Sequence, residues 1–145
     1  MRRALSKLAK RVALREPRVA GILLFGSHAR GEAEAGSDLD LMVLLDDDAE
    51  LNSVELYKLA AECFKWRHGL TVLSMGYRKF LDLKALTPLL LNLVWDAVVL
   101  YDRHGELEGF LEDMRKRIQA AGLTRVRTGR AYYWRLPRPG AKVTL

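Results

Sequence analysis

Two stretches decide how this sequence folds: Phe-Gly-Ser-His-Ala-Arg-Gly at residues 25–31 and Gly-Ser-Asp-Leu-Asp-Leu at residues 36–41. The first closes an apolar run at residues 19–25, and the second opens another at residues 38–45. Short apolar runs of this length, bounded by small polar residues, indicate strands buried on both faces. The sequence therefore predicts two core strands that are joined by a short helix beginning at Ser27 and by a polar loop.

The turn at Gly26 and Ser27 is typical of an anion site. A strand that ends in Gly-Ser and continues as a helix directs free backbone N–H groups at one spot. Glycine lets the backbone approach a phosphate closely, and the Ser27 hydroxyl can donate one further hydrogen bond. Arg30, one turn later, could add a bidentate contact. His28 lies in the same turn, where it either contacts a ligand or is simply solvated.

Asp38 and Asp40 are two residues apart on the second predicted strand, so their side chains leave the same face. Two adjacent carboxylates repel unless a cation lies between them or one is protonated. Such oxygen ligands suit Mg²⁺ or Mn²⁺, which also bind substrate phosphates. A phosphate site beside a divalent-cation site is what phosphoryl-type transfer requires. The alternative is a Gly-Ser turn followed by two exposed aspartates on an edge strand.

The remaining pattern predicts an α/β domain with a small sheet of three or four strands. Further strands are expected over residues 70–75 and 97–101, and helices over residues 3–15, 77–85 and 87–96. Asn52, with Glu55 three residues later, resembles a capping box for a helix that ends before Gly69. A last helix ends at Gly122, and the tail that follows shows no clear period.

Composition excludes several classes of protein. The 145 residues fit about one domain, and half of them are apolar. The single cysteine, Cys63, excludes an internal disulfide and most cysteine-based metal sites, and it falls on an apolar helical stripe where we expect it to be buried. No run of about 18 apolar residues indicates a membrane-spanning helix, and the basic N-terminus lacks the features of a signal peptide. These observations predict a soluble, cytoplasmic protein.

Charge is unevenly distributed along the chain, whose formal net charge is +6. Residues 1–18 carry seven bases and one acid, and the residues after Asp113 carry nine bases and no acid. The middle is therefore acidic, which suits divalent cations, and the basic ends suit phosphates or nucleic acid. The alternative is that the oppositely charged parts neutralise one another within the fold.

Gly26-Ser27, followed after ten residues by Asp38-x-Asp40, resembles the signature of the DNA polymerase β-like nucleotidyltransferase superfamily. Ala29-Arg30-Gly31 and Ser37-Asp38 look like its minimal nucleotidyltransferase branch, and the similarity covers residues 19–102. The resemblance implies a small mixed sheet flanked by helices. It also implies that Gly26, Ser27 and Arg30 bind a nucleoside triphosphate, and that Asp38 and Asp40 hold Mg²⁺ or Mn²⁺. A nucleotidyl group would then move to an acceptor hydroxyl, with loss of pyrophosphate.

The family's third carboxylate, which helps to activate the attacking hydroxyl, comes from a later strand. Here that strand reads Leu-Thr-Val-Leu-Ser at residues 70–74 and contains no acid. A base could come from elsewhere, with Asp46, Asp47, Asp48 and Asp82 as candidates, or a partner or the metal could activate the acceptor. Alternatively, the chain is a catalytically weak or inactive nucleotide-binding, antitoxin-like subunit that acts by protein–protein contact.

The resemblance and the sequence together suggest partners. Minimal members are commonly paired with a helical HEPN protein in toxin–antitoxin fashion, so a protein hydroxyl is one expected acceptor and a small molecule another. The strongly apolar helix at residues 86–95 is either deeply buried or faces a partner, which would be a second copy of the chain or a helical protein. We expect a nucleotidyltransferase domain over residues 1–122. Residues 123–145 form a basic, aromatic C-terminal arm, which either packs on the core or grips single-stranded nucleic acid.

Overall fold

A mixed sheet of four strands forms the centre of the computed structural model, which describes residues 1–47 and 49–138. The strands are β1 (Val19–Phe25), β2 (Leu39–Leu45), β3 (Leu70–Gly76) and β4 (Val98–Asp102). Their order is β3-β2-β1-β4. β1 runs antiparallel to β2 and β4, whereas β2 and β3 are parallel. The sequence predicted a small mixed sheet flanked by helices, and this prediction is confirmed.

Helices cover both faces of this sheet. α1 (Arg2–Arg15) and α3 (Ser53–Phe64) pack on one face, and α5 (Pro88–Asp96) and α6 (Leu107–Ala120) pack on the other. Two short helices, α2 (Gly26–Arg30) and α4 (Tyr77–Leu81), follow β1 and β3 directly. Because both faces are covered, every residue of β1 is buried, which is why this strand is continuously apolar rather than alternating.

Side-chain caps begin two of the helices, α3 at Asn52 and α5 at Thr87. The side chain of Asn52 accepts a hydrogen bond from the N–H of Val54, as expected of a residue that caps α3. Cys63 is buried on α3, as its apolar stripe indicated. The helix predicted over residues 77–85 is shorter, because α4 already ends at Leu81.

No helix in the described ranges, 1–47 and 49–138, is long and apolar enough to cross a membrane.

The C-terminal arm contains an element that the sequence analysis did not predict. β5 (Thr124–Thr128) and β6 (Ala131–Arg135) form an antiparallel hairpin. On β6, Tyr132 and Trp134 are half-buried, whereas Tyr133 is exposed. The indole N–H of Trp134 donates to the side chain of Asn92 on α5 at 3.0 Å. The hairpin is therefore attached to the domain beside α5 and α2, and the rest of the arm, residues 139–145, lies outside the described residues.

Candidate active site

Gly26 occupies the position where β1 ends and α2 begins. Its φ is +74°, a left-handed conformation that L side chains rarely adopt. Phe25 before it is extended, so the chain turns sharply at this one residue. Ser27 follows immediately and is half-buried. The predicted turn is therefore present, and it directs the start of α2 away from the end of the strand.

Asp40 lies against this turn. β1 and β2 pair so that Phe25 is opposite Asp40, and a Cβ atom at position 26 would overlap the Oδ2 atom of Asp40. A glycine is thus required for the close approach as well as for the conformation. The strand pairing brings the Gly-Ser turn and the carboxylate to the same edge of the sheet.

Asp38 lies one residue before β2 and is exposed, rather than within the strand as predicted. Its carboxylate packs on Gly69, where a Cβ atom would overlap Oδ1. The N–H of Leu39 donates to the carbonyl of Gly69 at 2.9 Å, and this bond fixes the start of the β2–β3 pairing. The two aspartates are therefore held from opposite sides, Asp40 by the β1 turn and Asp38 by the chain entering β3.

The environment of Asp40 disfavours its charge. Burial raises the pKa of Asp40, and the neighbouring Asp38 carboxylate raises it further. A hydrogen bond from the Thr71 side chain opposes this pKa shift, as do the charges of His28 and Arg30. A carboxylate that is half-buried beside a like charge is stabilised by a cation.

The donor set fits a divalent cation that is shared with a ligand. Asp38 and Asp40 supply hard oxygen atoms, which suit Mg²⁺ or Mn²⁺. In the part of the chain that the structure describes, no group of three or more His, Cys, Asp or Glu side chains could hold a metal ion. Two carboxylates are the usual protein contribution when substrate phosphates and water complete the coordination.

The model of the family described as "Nucleotidyltransferase domain" matches residues 5–121. The chain belongs to this family. A relative from Methanocaldococcus jannaschii, "Putative protein adenylyltransferase MJ1305", is 29% identical over 98 residues. That match covers 65% of this chain and 66% of the relative, so the chain spans slightly less than two thirds of the relative's length. The resemblance to the DNA polymerase β-like nucleotidyltransferase superfamily is confirmed.

Solved structures agree on the fold of this chain. A toxin–antitoxin crystal structure with AMP-PNP is similar with a TM-score of 0.51 and 20% identity, covering 79% of this chain and 90% of that chain. A mutant of the toxin–antitoxin complex MntA-HpeT is similar with a TM-score of 0.51 and 22% identity, covering 79% and 87%. At these identities the likeness shows the fold alone.

In place of the third carboxylate that the family resemblance implies, this chain has a threonine beside the pair. In the parallel register of β2 and β3, Thr71 is the partner of Asp40, and β3 contains no acid. Asp38, Asp40 and Thr71 therefore lie at one edge of the sheet. The sequence analysis predicted only that Thr71 lies on a strand and did not place it in the site.

Asp46, Asp47 and Asp82 lie at the opposite end of the strands from Asp40, so none of these three candidate bases is placed to serve this site. Asp46 follows β2 and pairs with Arg103 at 3.0 Å, and Asp47 accepts from the N–H of Arg78 at the start of α4. Asp82 follows α4. Because a seven-residue strand is about 20 Å long, these groups are remote from Asp40. Asp48 lies outside the described residues.

Arg30 is part of a network that joins α2 to the hairpin. Its Nη1 donates to Asp96 at 2.9 Å and its Nε to Glu32 at 2.7 Å. Arg125 of β5 donates to the same oxygen of Asp96 at 2.8 Å. The side chain of Asp96 is only 4% exposed, so these are buried ion pairs. The structure places Arg30 beside Ser27, with carboxylates on two of its nitrogens.

Tyr132 organises the arginines around this network. Its hydroxyl donates to Glu32 at 2.6 Å, and its ring lies 4.8 Å from the guanidinium carbon of Arg30 and 4.3 Å from that of Arg125. The sequence analysis gave Glu32 no role, and it left Tyr132 and Arg125 between packing and nucleic-acid binding. The short alternation Arg125-Val126-Arg127 is a weak sequence signal for a strand here, and the aromatic run at residues 132–134 shows no alternation.

His28 contacts protein groups at the edge of the site. Its Nε2 lies 3.4 Å from the carbonyl oxygen of Ser37, and its ring meets the Trp66 ring edge-on at 5.0 Å. The Trp66 indole N–H donates to the same carbonyl at 3.3 Å. These contacts hold the loop that carries Asp38 against α2.

Proposed function

We propose that this chain is a divalent-metal-dependent nucleotidyltransferase that moves an adenylyl or related nucleotidyl group from a nucleoside triphosphate to a hydroxyl of a partner protein. The close packing of the Gly26 turn against Asp40 carries the proposal. It joins a phosphate-binding turn to a pair of carboxylates at one edge of the sheet. The name of the Methanocaldococcus jannaschii relative supports both the adenylyl group and a protein acceptor.

Each site residue has a distinct part in this proposal. The backbone at Gly26 and the Ser27 hydroxyl bind the terminal phosphates, and Arg30 adds positive charge beside them. Asp38 and Asp40 would hold Mg²⁺ or Mn²⁺, which when bound neutralises charge that develops on the phosphates. The acceptor oxygen bonds to the α-phosphorus, the bond to the β-phosphate oxygen breaks, and pyrophosphate leaves. Residues 1–122 form the transferase domain, and residues 123–145 form its arm.

The acceptor hydroxyl must lose its proton in this reaction. Thr71 replaces the carboxylate that would face Asp40, and a threonine hydroxyl is not a base at neutral pH. The proposal therefore assigns the proton to water or to a group on the partner protein. The same observation favours a second candidate function, a nucleotide-binding, antitoxin-like subunit that acts by protein–protein contact without efficient transfer.

A partner protein suits the surface of α5. Leu89 of this helix is 53% exposed, although Leu91, Leu93 and Val94 are buried. The toxin–antitoxin neighbours are complexes, which supports a partner protein over a second copy of this chain, and a helical protein of the HEPN type is the partner that the sequence resemblance implies. Single-stranded nucleic acid is less favoured, since Tyr132 and Trp134 are hydrogen-bonded to the domain instead of being free to stack on bases.

The decisive experiment is transfer of label from each of the four α-labelled nucleoside triphosphates with Mg²⁺ or Mn²⁺, with and without the protein encoded beside this one. Label on that neighbour, lost in Asp38→Asn and Asp40→Asn and retained in Asp113→Asn on the exposed face of α6, would support the transferase. Metal-dependent nucleotide binding without transfer would support the second candidate. Neither binding nor transfer would contradict both.

A further inference from the structure

A cavity of about 220 Å³ opens beside the Gly-Ser turn, between α2 and the C-terminal hairpin. On the domain side it is lined by Ser27, Arg30 and Ser37. Ser27 belongs to the Gly-Ser turn, and Ser37 directly precedes Asp38. On the hairpin side it is lined by Arg127, Arg130 and Tyr132. The arm therefore forms one wall of the space into which a phosphate bound at Ser27 would extend.

The hairpin arginines differ in how firmly they are held. Arg125 is 13% exposed and bound to the buried Asp96, so it anchors the hairpin. Arg127 pairs with Glu32 at 3.3 Å and Arg130 with Glu34 at 3.2 Å, and their side chains are 58% and 87% exposed. Exposed pairs at these distances are worth little and exchange readily for a better anion.

We propose that Arg127 and Arg130 leave Glu32 and Glu34 and bind the polyphosphate of the nucleoside triphosphate held at Ser27. This inference depends on the proposed function, since it adds a subsite to the same nucleotide site. The ligand class is a triphosphate or its pyrophosphate portion. The guanidinium group matches this chemistry, because it binds phosphate oxygens in bidentate fashion.

Substitution of Glu34 distinguishes a phosphate subsite from an ion pair that only stabilises the hairpin. Its side chain is 67% exposed, and it lines the same cavity as Arg130. If the pair only stabilised the hairpin, removing either partner would weaken nucleotide binding or leave it unchanged. If Glu34 competes with phosphate for Arg130, Glu34→Gln strengthens triphosphate binding whereas Arg130→Gln weakens it. The two substitutions then act in opposite directions.

The test is equilibrium binding of ATP, ADP, AMP and inorganic tripolyphosphate to the full chain with Mn²⁺, for wild type, Arg130→Gln, Arg127→Gln and Glu34→Gln. Arg117→Gln is the matched control, since Arg117 forms an exposed ion pair with Asp113 on α6. We expect each cavity arginine variant to weaken ATP and tripolyphosphate about tenfold and to change AMP less than about twofold. We expect Glu34→Gln to tighten ATP about twofold to threefold and Arg117→Gln to have no effect.

The outcomes separate this inference from the proposed function. ATP binding that is unchanged in Arg130→Gln and Arg127→Gln, or equal losses for ATP and AMP, would overturn the hairpin subsite and leave the transferase proposal intact. A wild-type chain that binds none of the nucleotides would contradict the proposed function itself. Nε of Arg127 also donates to the carbonyl of Gly129, so Arg127→Gln removes a hydrogen bond within the hairpin as well. Arg130 is the more exposed of the two arginines, so Arg130→Gln decides if the two variants disagree.

Discussion

The Oδ2 atom of Asp40 occupies the space that a Cβ atom at Gly26 would need. The two residues are 14 positions apart in sequence, but the pairing of Phe25 with Asp40 at the ends of β1 and β2 brings them into contact. The Gly-Ser turn and the carboxylate pair are therefore one structural unit. A substitution at either residue should therefore alter the position of the other.

We predict that Gly26→Ala abolishes nucleotide binding and transfer. A Cβ atom there displaces the Asp40 carboxylate and also pays the cost of a left-handed φ, about 1 kcal/mol in free energy of unfolding. Gly31→Ala is the matched control, because Gly31 has a φ of +71° with open space around its missing Cβ. Denaturant unfolding should show the backbone cost in both variants and a larger total loss of stability in Gly26→Ala, and label transfer should be lost only in Gly26→Ala. Equal activity in the two variants would contradict the steric argument.

The metal ion and the nucleotide should bind cooperatively. Asp38 and Asp40 alone offer too few ligands for tight binding, and in the proposed function the substrate phosphates would complete the coordination. We predict that Mn²⁺, followed by electron paramagnetic resonance, binds the chain at least about tenfold more tightly when a non-hydrolysable ATP analogue is present, and that the metal strengthens analogue binding by the same factor. Asp40→Asn should remove this coupling. Metal affinity that is independent of nucleotide would indicate a site formed by protein ligands alone.

Thr71→Asp should create a site with three carboxylates. The register places this side chain beside Asp40, so the new acid meets two like charges in the absence of metal. We expect the variant to unfold at a lower temperature than wild type in EDTA and to recover with Mn²⁺. Its transfer activity should rise if the missing base limits the reaction. Thr71→Asn is the control, because asparagine has the shape of aspartate without its charge, and it should show none of these effects. A loss of stability in both variants that does not depend on metal would contradict the prediction.

The fold and the position of the site could be predicted from the sequence because their signals are local and strong. Continuously apolar strands indicate a covered sheet, and the Gly-Ser and Asp-x-Asp spacing identifies the family. Thr71 could be recognised only as the lack of an acid on its strand. Its position opposite Asp40 depends on the β2–β3 register, which sequence pattern does not determine.

The hairpin could not be predicted for a different reason. Its strands are only five residues long, β5 has a single apolar residue between two arginines, and β6 is aromatic at three consecutive positions, so neither strand shows a clear apolar alternation that would indicate a buried face. Their attachment depends on long-range pairs, above all that of Arg125 with Asp96. Those pairs also determine the surroundings of Arg30, which sequence alone presented as a free ligand for phosphate.

Arg125→Met should detach the hairpin from the domain. In this variant the buried Asp96 keeps only Arg30 as an ion-pair partner among the described residues. The loss of a charged hydrogen bond of this kind costs about 2 kcal/mol in free energy of unfolding. Arg117→Met removes an exposed ion pair instead and should cost less than about 0.5 kcal/mol. Denaturant unfolding measures both, and hydrogen exchange of the β5 and β6 amides shows whether the hairpin opens first. Equal costs would mean that the buried pair does not hold the hairpin.

Hairpin attachment should weaken in acid. The hydrogen bond from Tyr132 and that from Arg30 hold the pKa of Glu32 below its ordinary value. A depressed folded-state pKa contributes stability that is fully present above the unfolded value, about 4.3, and is lost as the pH falls through the folded value. We therefore expect the indole N–H resonance of Trp134, which reports the bond to Asn92, to shift and broaden below about pH 4. In Glu32→Gln this acid-dependent change should disappear, and an identical acid midpoint in the two proteins would exclude Glu32 as its origin.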